Sequence, residues 1–426
     1  MTNGTTANTS GIRPRWFAWG GRGAASLIDQ AAFAGTNFLI NIMLARWLPL
    51  GDYGLFASVY AVIVFANSMH AGLIAEPLTI FWTRNRERRD AYLAEMVTLN
   101  LLFMTVIALI GVFGAIACLA FGLAGVSGIL VALILGMTLP MFWFMRQVAY
   151  AQMKPWRAVS NTIVYAICLL GGALMLKAFG VAGWLDYLAL MGVAAALASC
   201  WAVWRDRLPP PRRTADAAMR AMFGECWDYG RWSVPTGTLI WFANNIFLLI
   251  LPVAASSRDA GQLKMVLNIL LPFQQVLLGL SLVALPVFSR LQTERHFGQF
   301  RRLTAGCLII AALGGLCFAA LLCIAGQPAF ALIYGARHAA AADLVLYGLA
   351  LPFFWALTAV ARVVLRARQE VKGIFLAYCV AAGVIGPIAI PIGALHGTAG
   401  ALLGTTALHV TVACMLLFYI IRRRDA

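Results

Sequence analysis

Apolar stretches of about twenty residues alternate with short polar breaks along nearly the whole chain. A helix of ~20 residues crosses the ~30 Å hydrocarbon layer of a bilayer. The pattern predicts membrane-spanning helices at 27–46, 57–82, 93–121, 123–145, 158–179, 181–204, 232–255, 262–289, 304–325, 341–361, 373–393 and 398–421. The longest polar break, 205–231, holds Pro209, Pro210 and Pro211, then basic residues and an amphipathic stretch around Met219 to Trp227. The expected class is an all-α polytopic membrane protein, with about twelve helices in two pseudo-symmetric six-helix bundles around a central cavity. The expected parts are an N-terminal tail (1–26), a first bundle (27–204), a linker (205–231), a second bundle (232–421) and a C-terminal tail (422–426).

Charge fixes the orientation. Of the 32 Lys and Arg, 27 lie in the tails and in every second break; the alternate breaks hold only Arg46, Lys177, Arg258, Lys264 and Arg337. Basic residues are retained on the cytoplasmic side. Both termini, the linker and the basic loops are therefore expected in the cytoplasm of a bacterial cell, with the chain in its cytoplasmic (inner) membrane. Residues 1–26 show no cleavable leader pattern, so the first span is expected to serve as targeting signal. With 62% hydrophobic and 11% charged residues and a mean hydropathy of +0.84, the chain is not a soluble protein. Topology accounts for the net charge of +16, and nucleic acid is not expected as a partner. Nine cysteines without a CxxC pair and five histidines without zinc spacing imply no metal and no cofactor.

The halves repeat. Asn37 precedes Asp52 as Asn244 precedes Asp259, at an offset of 207. Leu139-Pro140-Met141-Phe142-Trp143 matches Leu351-Pro352-Phe353-Phe354-Trp355 at an offset of 212, and span 2 ends with Glu76-Pro77 before Arg84 as span 8 ends with Leu285-Pro286 before Arg290. Six spans per half is an even number, so both halves enter from one side. Transporters built from such parallel repeats place the substrate path between the halves.

Within span 1, Arg22, Ser26, Asp29, Gln30, Thr36, Asn37 and Asn41 fall near one helix face. Asp at a helix centre costs about 2.5–3.5 kcal/mol against lipid, so this face is expected to line a cavity or another helix. Span 7 carries a weaker counterpart in Ser233, Thr238, Trp241, Asn244 and Asn245, preceded by Arg231. Asp29 and Glu76 are candidate ion-coupling carboxylates; a headgroup-level salt bridge is the competing reading for Glu76. Arg22, Arg146, Arg231 and Arg362 sit at the cytoplasmic ends of spans 1, 4, 7 and 10. The planar Arg donor fork suits phosphate oxygens; topological retention is the alternative for each. Arg22, Asp29, Asn37, Asn41, Arg146, Arg231, Asn244 and Arg362 are thus the candidate substrate-binding residues. No catalytic constellation or phosphate-binding Gly loop is present, and the loops expected outside are short, so an enzyme is not expected.

The run from Asn37 to Phe56, ending Leu44-Ala45-Arg46-Trp47-Leu48-Pro49-Leu50-Gly51-Asp52-Tyr53-Gly54-Leu55-Phe56, resembles the first hairpin of the multidrug/oligosaccharidyl-lipid/polysaccharide (MOP) exporter superfamily. Within it, the chain is most similar to bacterial polysaccharide and O-antigen flippases. Tyr229-Gly230-Arg231-Trp232 and Ala284-Leu285-Pro286 share that likeness. The resemblance implies alternating-access movement of a polyprenyl-diphosphate-linked glycan to the outer leaflet, with lumenal basic residues meeting the diphosphate. It also implies the lipid bilayer and polysaccharide polymerase or export machinery as partners. Relatives that flip the peptidoglycan precursor typically carry extra spans, and none is expected from the pattern here. Two alternatives remain: a cation-coupled multidrug exporter of the same fold, and a membrane polysaccharide polymerase or ligase.

Overall fold

The computed structural model describes residues 15–121, 128, 138–180, 183–211 and 217–422. It is all-helical, with no strand among the described residues. We number the helices α1 (Arg15–Trp47), α2 (Leu50–Phe81), α3 (Arg89–Ala120), α4 (Thr138–Ala151), α5 (Pro155–Ala178), α6 (Trp184–Asp206), α7 (Ala217–Ala254), α8 (Ser257–Thr293), α9 (Phe297–Tyr334), α10 (Leu351–Ala367), α11 (371–396) and α12 (398–422). Among the described residues ten helices are long and apolar enough to cross a membrane. The longest of them, Val371–Arg422, breaks at Gly397 (φ 58°, ψ −136°), which separates α11 from α12. Most of the expected fourth span lies outside the described residues; its described part is α4. Apolar side chains such as Ile110, Phe113, Ile167, Ile310 and Ile324 stand exposed on the outer faces, as a lipid-facing belt requires.

Two elements differ from the sequence reading. The amphipathic part of the expected linker is not a loop but the start of α7. Met219, Met222 and Cys226 are buried there against Met96, Tyr92 and Phe144 of the first bundle. The apolar face of this amphipathic stretch is covered by tertiary packing. The expected span 341–361 begins instead as a 3-10 helix over Ala336–Gly348, bounded by Gly335 and Gly348, before α10 starts at Leu351-Pro352.

Local chemistry sets the element ends. Pro155 occupies the first turn of α5, where its missing N–H costs nothing. The Ser256 side chain accepts from Asp259 N (3.1 Å) and caps α8. A π-helical turn at Ala71–Ala75 interrupts the α-helical bonding of α2 just before Glu76-Pro77.

The bundles meet along two seams, α2 with α7 and α8, and α1 with α8. We call the end that carries the Arg-rich loops the basic end. At the opposite end α2 and α8 cross backbone to backbone. A Cβ on Gly54 would strike the Ser257 carbonyl, and one on Gly261 the Leu50 carbonyl. The contact is self-reciprocal: residues 54 and 261, like 50 and 257, differ by the repeat offset of 207. From this crossing the α2/α7 seam stays closed along its depth. Ser58 Oγ donates to Leu248 O (2.6 Å) and Trp241 Nε1 to Ala61 O (2.8 Å). Further along, Gly72 packs against Val234 and Gly230 against Leu73. The α1/α8 seam is closed only in its far half, where Ile40, Leu44, Leu263 and Val266 are buried. Toward the basic end Leu27, Ile28, Val276, Leu280 and Val283 are exposed, and Cβ atoms on Gly23 and Gly279 would meet nothing within 4 Å.

Gly54→Val and Gly261→Val should each cost at least about 1–3 kcal/mol, because no side-chain rotation relieves a clash with backbone. The check is the yield of monodisperse detergent-solubilised protein and its melting temperature. Gly35→Ala, where a Cβ meets nothing within 4 Å, should behave as wild type.

Candidate functional site

Proline at the start of α10 directs a helix whose residues Trp355, Thr358, Arg362 and Arg366 share one face at spacings of three and four. That face borders a cavity of about 300 Å³ in the second bundle. Gln274, Gln275 and Ser281 of α8 and Asn244 of α7 form the facing wall, with Tyr378 and His409 behind. Neither Arg362 nor Arg366 has a carboxylate within ion-pair distance among the described residues. They stand one turn apart as like charges, and Arg366 also feels Glu76 and Tyr229 across the seam. Two guanidinium groups without an ion-pair partner, beside neutral donors and acceptors, suit an anion.

A larger cavity of about 790 Å³ lies at the basic end of the first bundle. Its wall carries Arg89, Lys154 and Arg157 against Asp90 and Asp206. Asp206 is already paired with Arg157 (3.0 Å) and Arg205 (2.8 Å). The smaller cavity has the stronger uncompensated charge and is the better candidate for an anionic ligand.

The structure brings some sequence candidates together and keeps others apart. Asn244 and Arg362 line the second-bundle cavity. Asp29 and Arg146 are partners inside the first bundle. Arg146 donates from Nη2 (2.6 Å) and Nε (3.2 Å) to Asp29 Oδ2, Thr162 donates to Oδ1 (2.5 Å), and Tyr150 OH also donates to the carboxylate. The guanidinium lies over the Phe33 ring at 4.5 Å, and the pair is 0% and 7% exposed. Asn37 and Asn41 donate to the Phe33 and Asn37 carbonyls and accept from Tyr60 and Tyr53. Arg231 lies 3.5 Å from Asp228 in an exposed pair. Glu76 bridges the bundles, accepting from Tyr229 OH (2.9 Å) and Ser233 Oγ (2.6 Å) of α7. The side chain of Arg22 lies outside the described residues.

Sequence reasoning passed over Arg366, Gln274 and Gln275. Arg366 was counted among topological charges, although its 3/4 spacing with Arg362, Thr358 and Trp355 marked the face. Gln274-Gln275, two residues after Pro272 in mid-span, was a polar signal of the same kind. Three of the five cations that break the charge alternation also have a structural explanation. Arg46 donates to the Ile333 (2.5 Å) and Leu332 carbonyls at the end of α9. Arg337 donates to the carbonyls of Ala45 (3.0 Å), Arg46 and Leu48 (3.3 Å) at the end of α1. Each thus satisfies carbonyls that a helix C-terminus leaves unpaired, and together they clasp the two bundles at the end opposite the basic loops. Lys264 is not in a loop at all. It lies inside α8, over the Tyr60 ring at 5.7 Å.

Solved structures share the fold at low identity. A multidrug resistance MATE family transporter of the MOP superfamily in its inward-facing conformation matches with a TM-score of 0.74 at 13% identity, over 92% of this chain and 94% of that one. The lipid II flippase MurJ in an inward closed conformation matches at 0.73 and 13%, over 94% and 87%. A MOP superfamily transporter from Pyrococcus furiosus, described as having a binding pocket of reverse polarity, matches at 0.67 and 14%, over 94% of both chains. No curated protein matches the chain by sequence. A family model described as polysaccharide biosynthesis protein matches residues 43–343, from the end of α1 to the segment before α10. With the two-bundle architecture of MOP transporters around it, this chain belongs to the polysaccharide biosynthesis protein family.

Proposed function

We propose that this protein is a flippase that carries a polyprenyl-diphosphate-linked glycan from the cytoplasmic to the outer leaflet by alternating access. The bundles 27–204 and 232–421 are its moving bodies, and the basic end faces the cytoplasm of a bacterial cell. One observation carries the reading. The α1/α8 seam is open at the basic end, and α8 borders both this opening and the cavity that holds Arg362 and Arg366. A headgroup can enter sideways there while its hydrocarbon tail stays in lipid. A diphosphate cannot cross hydrocarbon unaided, so charge-matched donors must replace its water. The family's polysaccharide description and the structural likeness to a lipid II flippase point the same way. A drug exporter for cations would need an acidic cavity, and the charges on this one are positive.

The two seams are related by the repeat, which gives the opening a means of closing. Gly72, Leu73, Gly230 and Ser233 of the closed seam correspond, at the offset of 207, to Gly279, Leu280, Gly23 and Ser26 of the open one. The open seam keeps the glycines that allow close helix approach. It lacks the polar latch: Glu76 corresponds to Val283.

Asp29 and Glu76, the candidate coupling carboxylates, are both engaged, by Arg146 and by Tyr229 with Ser233. The reading therefore assigns directionality to the membrane potential. At ~2.3 kcal/mol per charge per 100 mV, two net charges gain about 4.6 kcal/mol on outward movement.

Three outcomes follow. In a cysteine-less background, Gly23→Cys with Gly279→Cys should cross-link when the seam closes, and the cross-link should halt glycan-lipid movement until reduced; undiminished transport in the cross-linked protein refutes the lateral route. Reversing the potential imposed on vesicles should slow outward flipping, and an unchanged rate removes the electrical contribution. Asp29→Asn should lower stability by about 3–5 kcal/mol, because it strands a buried Arg146, whereas Asp29→Leu with Arg146→Met should recover it. Melting curves in detergent decide this, and a wild-type melting temperature for the single variant contradicts it.

A further inference from the structure

The second-bundle cavity carries more than its two arginines. Trp355 and Thr358 line it two turns and one turn before Arg362, and they are only 7% and 5% exposed. Trp355 Nε1 and Thr358 Oγ1 find no hydrogen-bond partner among the described residues. For Thr358 this is unusual within the molecule. Thr36, Thr304, Thr405 and Thr411 each donate to the carbonyl four residues earlier, the ordinary resting place of a helical threonine hydroxyl. Buried polar groups are costly to leave unpaired, so two together at a cavity wall point to a ligand that completes them.

His409 adds an acceptor. Its Nδ1 lies 2.9 Å from the Thr405 carbonyl, which can only accept, so Nδ1 carries the proton and Nε2 is left to accept. Asn244 donates from Nδ2 to the Ile240 carbonyl (2.7 Å) and keeps its Oδ1. The cavity thus has two zones. Arg362 and Arg366 form a cationic mouth. Beyond it lies a neutral wall that mixes donors (Trp355, Thr358), acceptors (His409, Asn244) and the apolar Leu277 and Val363. A bare diphosphate leaves the acceptors His409 and Asn244 of this zone without a donor, because its oxygens only accept. A sugar ring suits the whole zone, because each hydroxyl both donates and accepts and the C–H faces are apolar. A volume of about 300 Å³ sits at the lower end of small-ligand pockets.

Building on the flippase reading, we propose that this cavity is the subsite for the first sugar of the lipid-linked glycan. Arg362 and Arg366 hold the phosphate on the anomeric carbon, and Trp355, Thr358 and His409 hydrogen-bond the ring hydroxyls.

The test is binding to the full-length protein in nanodiscs of zwitterionic lipid. The probes are polyprenyl diphosphate alone and the same lipid carrying one glucose or one galactose. At least one sugar should tighten binding about tenfold, the worth of one or two well-placed hydrogen bonds. Thr358→Val, close in shape to the native residue, and Trp355→Phe, which keeps an aromatic ring but loses the indole N–H, should each remove about three- to tenfold of that gain and leave the bare diphosphate unchanged. Arg362→Gln and Arg366→Gln should weaken all three ligands. The proposal is overturned if neither sugar tightens binding, if Thr358→Val keeps the full gain, or if phosphatidylglycerol displaces the ligands as well as the bare lipid does. The last result would make the cavity a general headgroup site. Transport that stops on cross-linking the α1/α8 seam, alongside an undiminished sugar gain in Thr358→Val, removes the subsite and leaves the flippase standing. A wild-type protein that moves no glycan lipid removes both.

Discussion

Two glycines let α2 and α8 touch backbone to backbone, and the placement of both seams follows from that contact. Between helices in a bilayer there is no hydrophobic driving force, because lipid tails are as apolar as leucine. Association there depends on close packing and on hydrogen bonds. Gly54 and Gly261 supply the first by admitting the Ser257 and Leu50 carbonyls where a side chain would stand. Arg46 and Arg337 supply the second at the same end, each tied to the terminal carbonyls of a helix in the other bundle. The bundles are therefore joined most firmly at one end, and freedom to separate lies at the other.

That freedom is not shared equally by the two seams, although the repeat makes them equivalent. In the α2/α7 seam, Glu76 gathers Tyr229 and Ser233 across the boundary and the glycine approach is complete. In the α1/α8 seam the glycines remain but Val283 replaces the carboxylate. Closure there would rest on van der Waals packing alone. Each atom pair gives only ~0.1–0.2 kcal/mol, so such a closure gains strength only with good fit over many atoms and is readily reversed. The part-buried polar latch of the other seam adds two hydrogen bonds to its packing. One seam is thus suited to act as a hinge and the other as a door.

Much of this was legible in the chain. The hydropathy period and charge alternation gave the helices, and the 207-residue offset reappears as the Gly54–Ser257 and Gly261–Leu50 contact. Pairing was not legible. Asp29 and Arg146 are 117 positions apart, and nothing in either neighbourhood says that they meet rather than face a lumen. The amphipathic start of α7 could not be told from a solvated linker, because its partners Met96 and Phe144 come from distant helices. Arg366 was hidden by the rule that explained the others: a basic residue at a span end satisfies topology whether or not it does anything else.

The distribution of paired and unpaired charge then separates the roles of the bundles. In the first bundle the intramembrane charges of Asp29 and Arg146 cancel, with Tyr150 and Thr162 completing the carboxylate's hydrogen bonds. A buried pair of this kind stabilises little relative to apolar residues, but it is expensive to break from one side, so it resists any ligand that needs only one of its members. In the second bundle Arg362 and Arg366 repel each other and lack a carboxylate partner among the described residues. An anion held between them, as the proposed function requires, would relieve that repulsion and supply a counter-charge. Glu76, whose charge Arg366 also feels, is the latch across the closed seam. On the proposed reading, binding in the cavity and the grip between the bundles would both involve the field between Arg366 and Glu76. That is the kind of shared element through which occupancy of a site can bias the arrangement of two bodies.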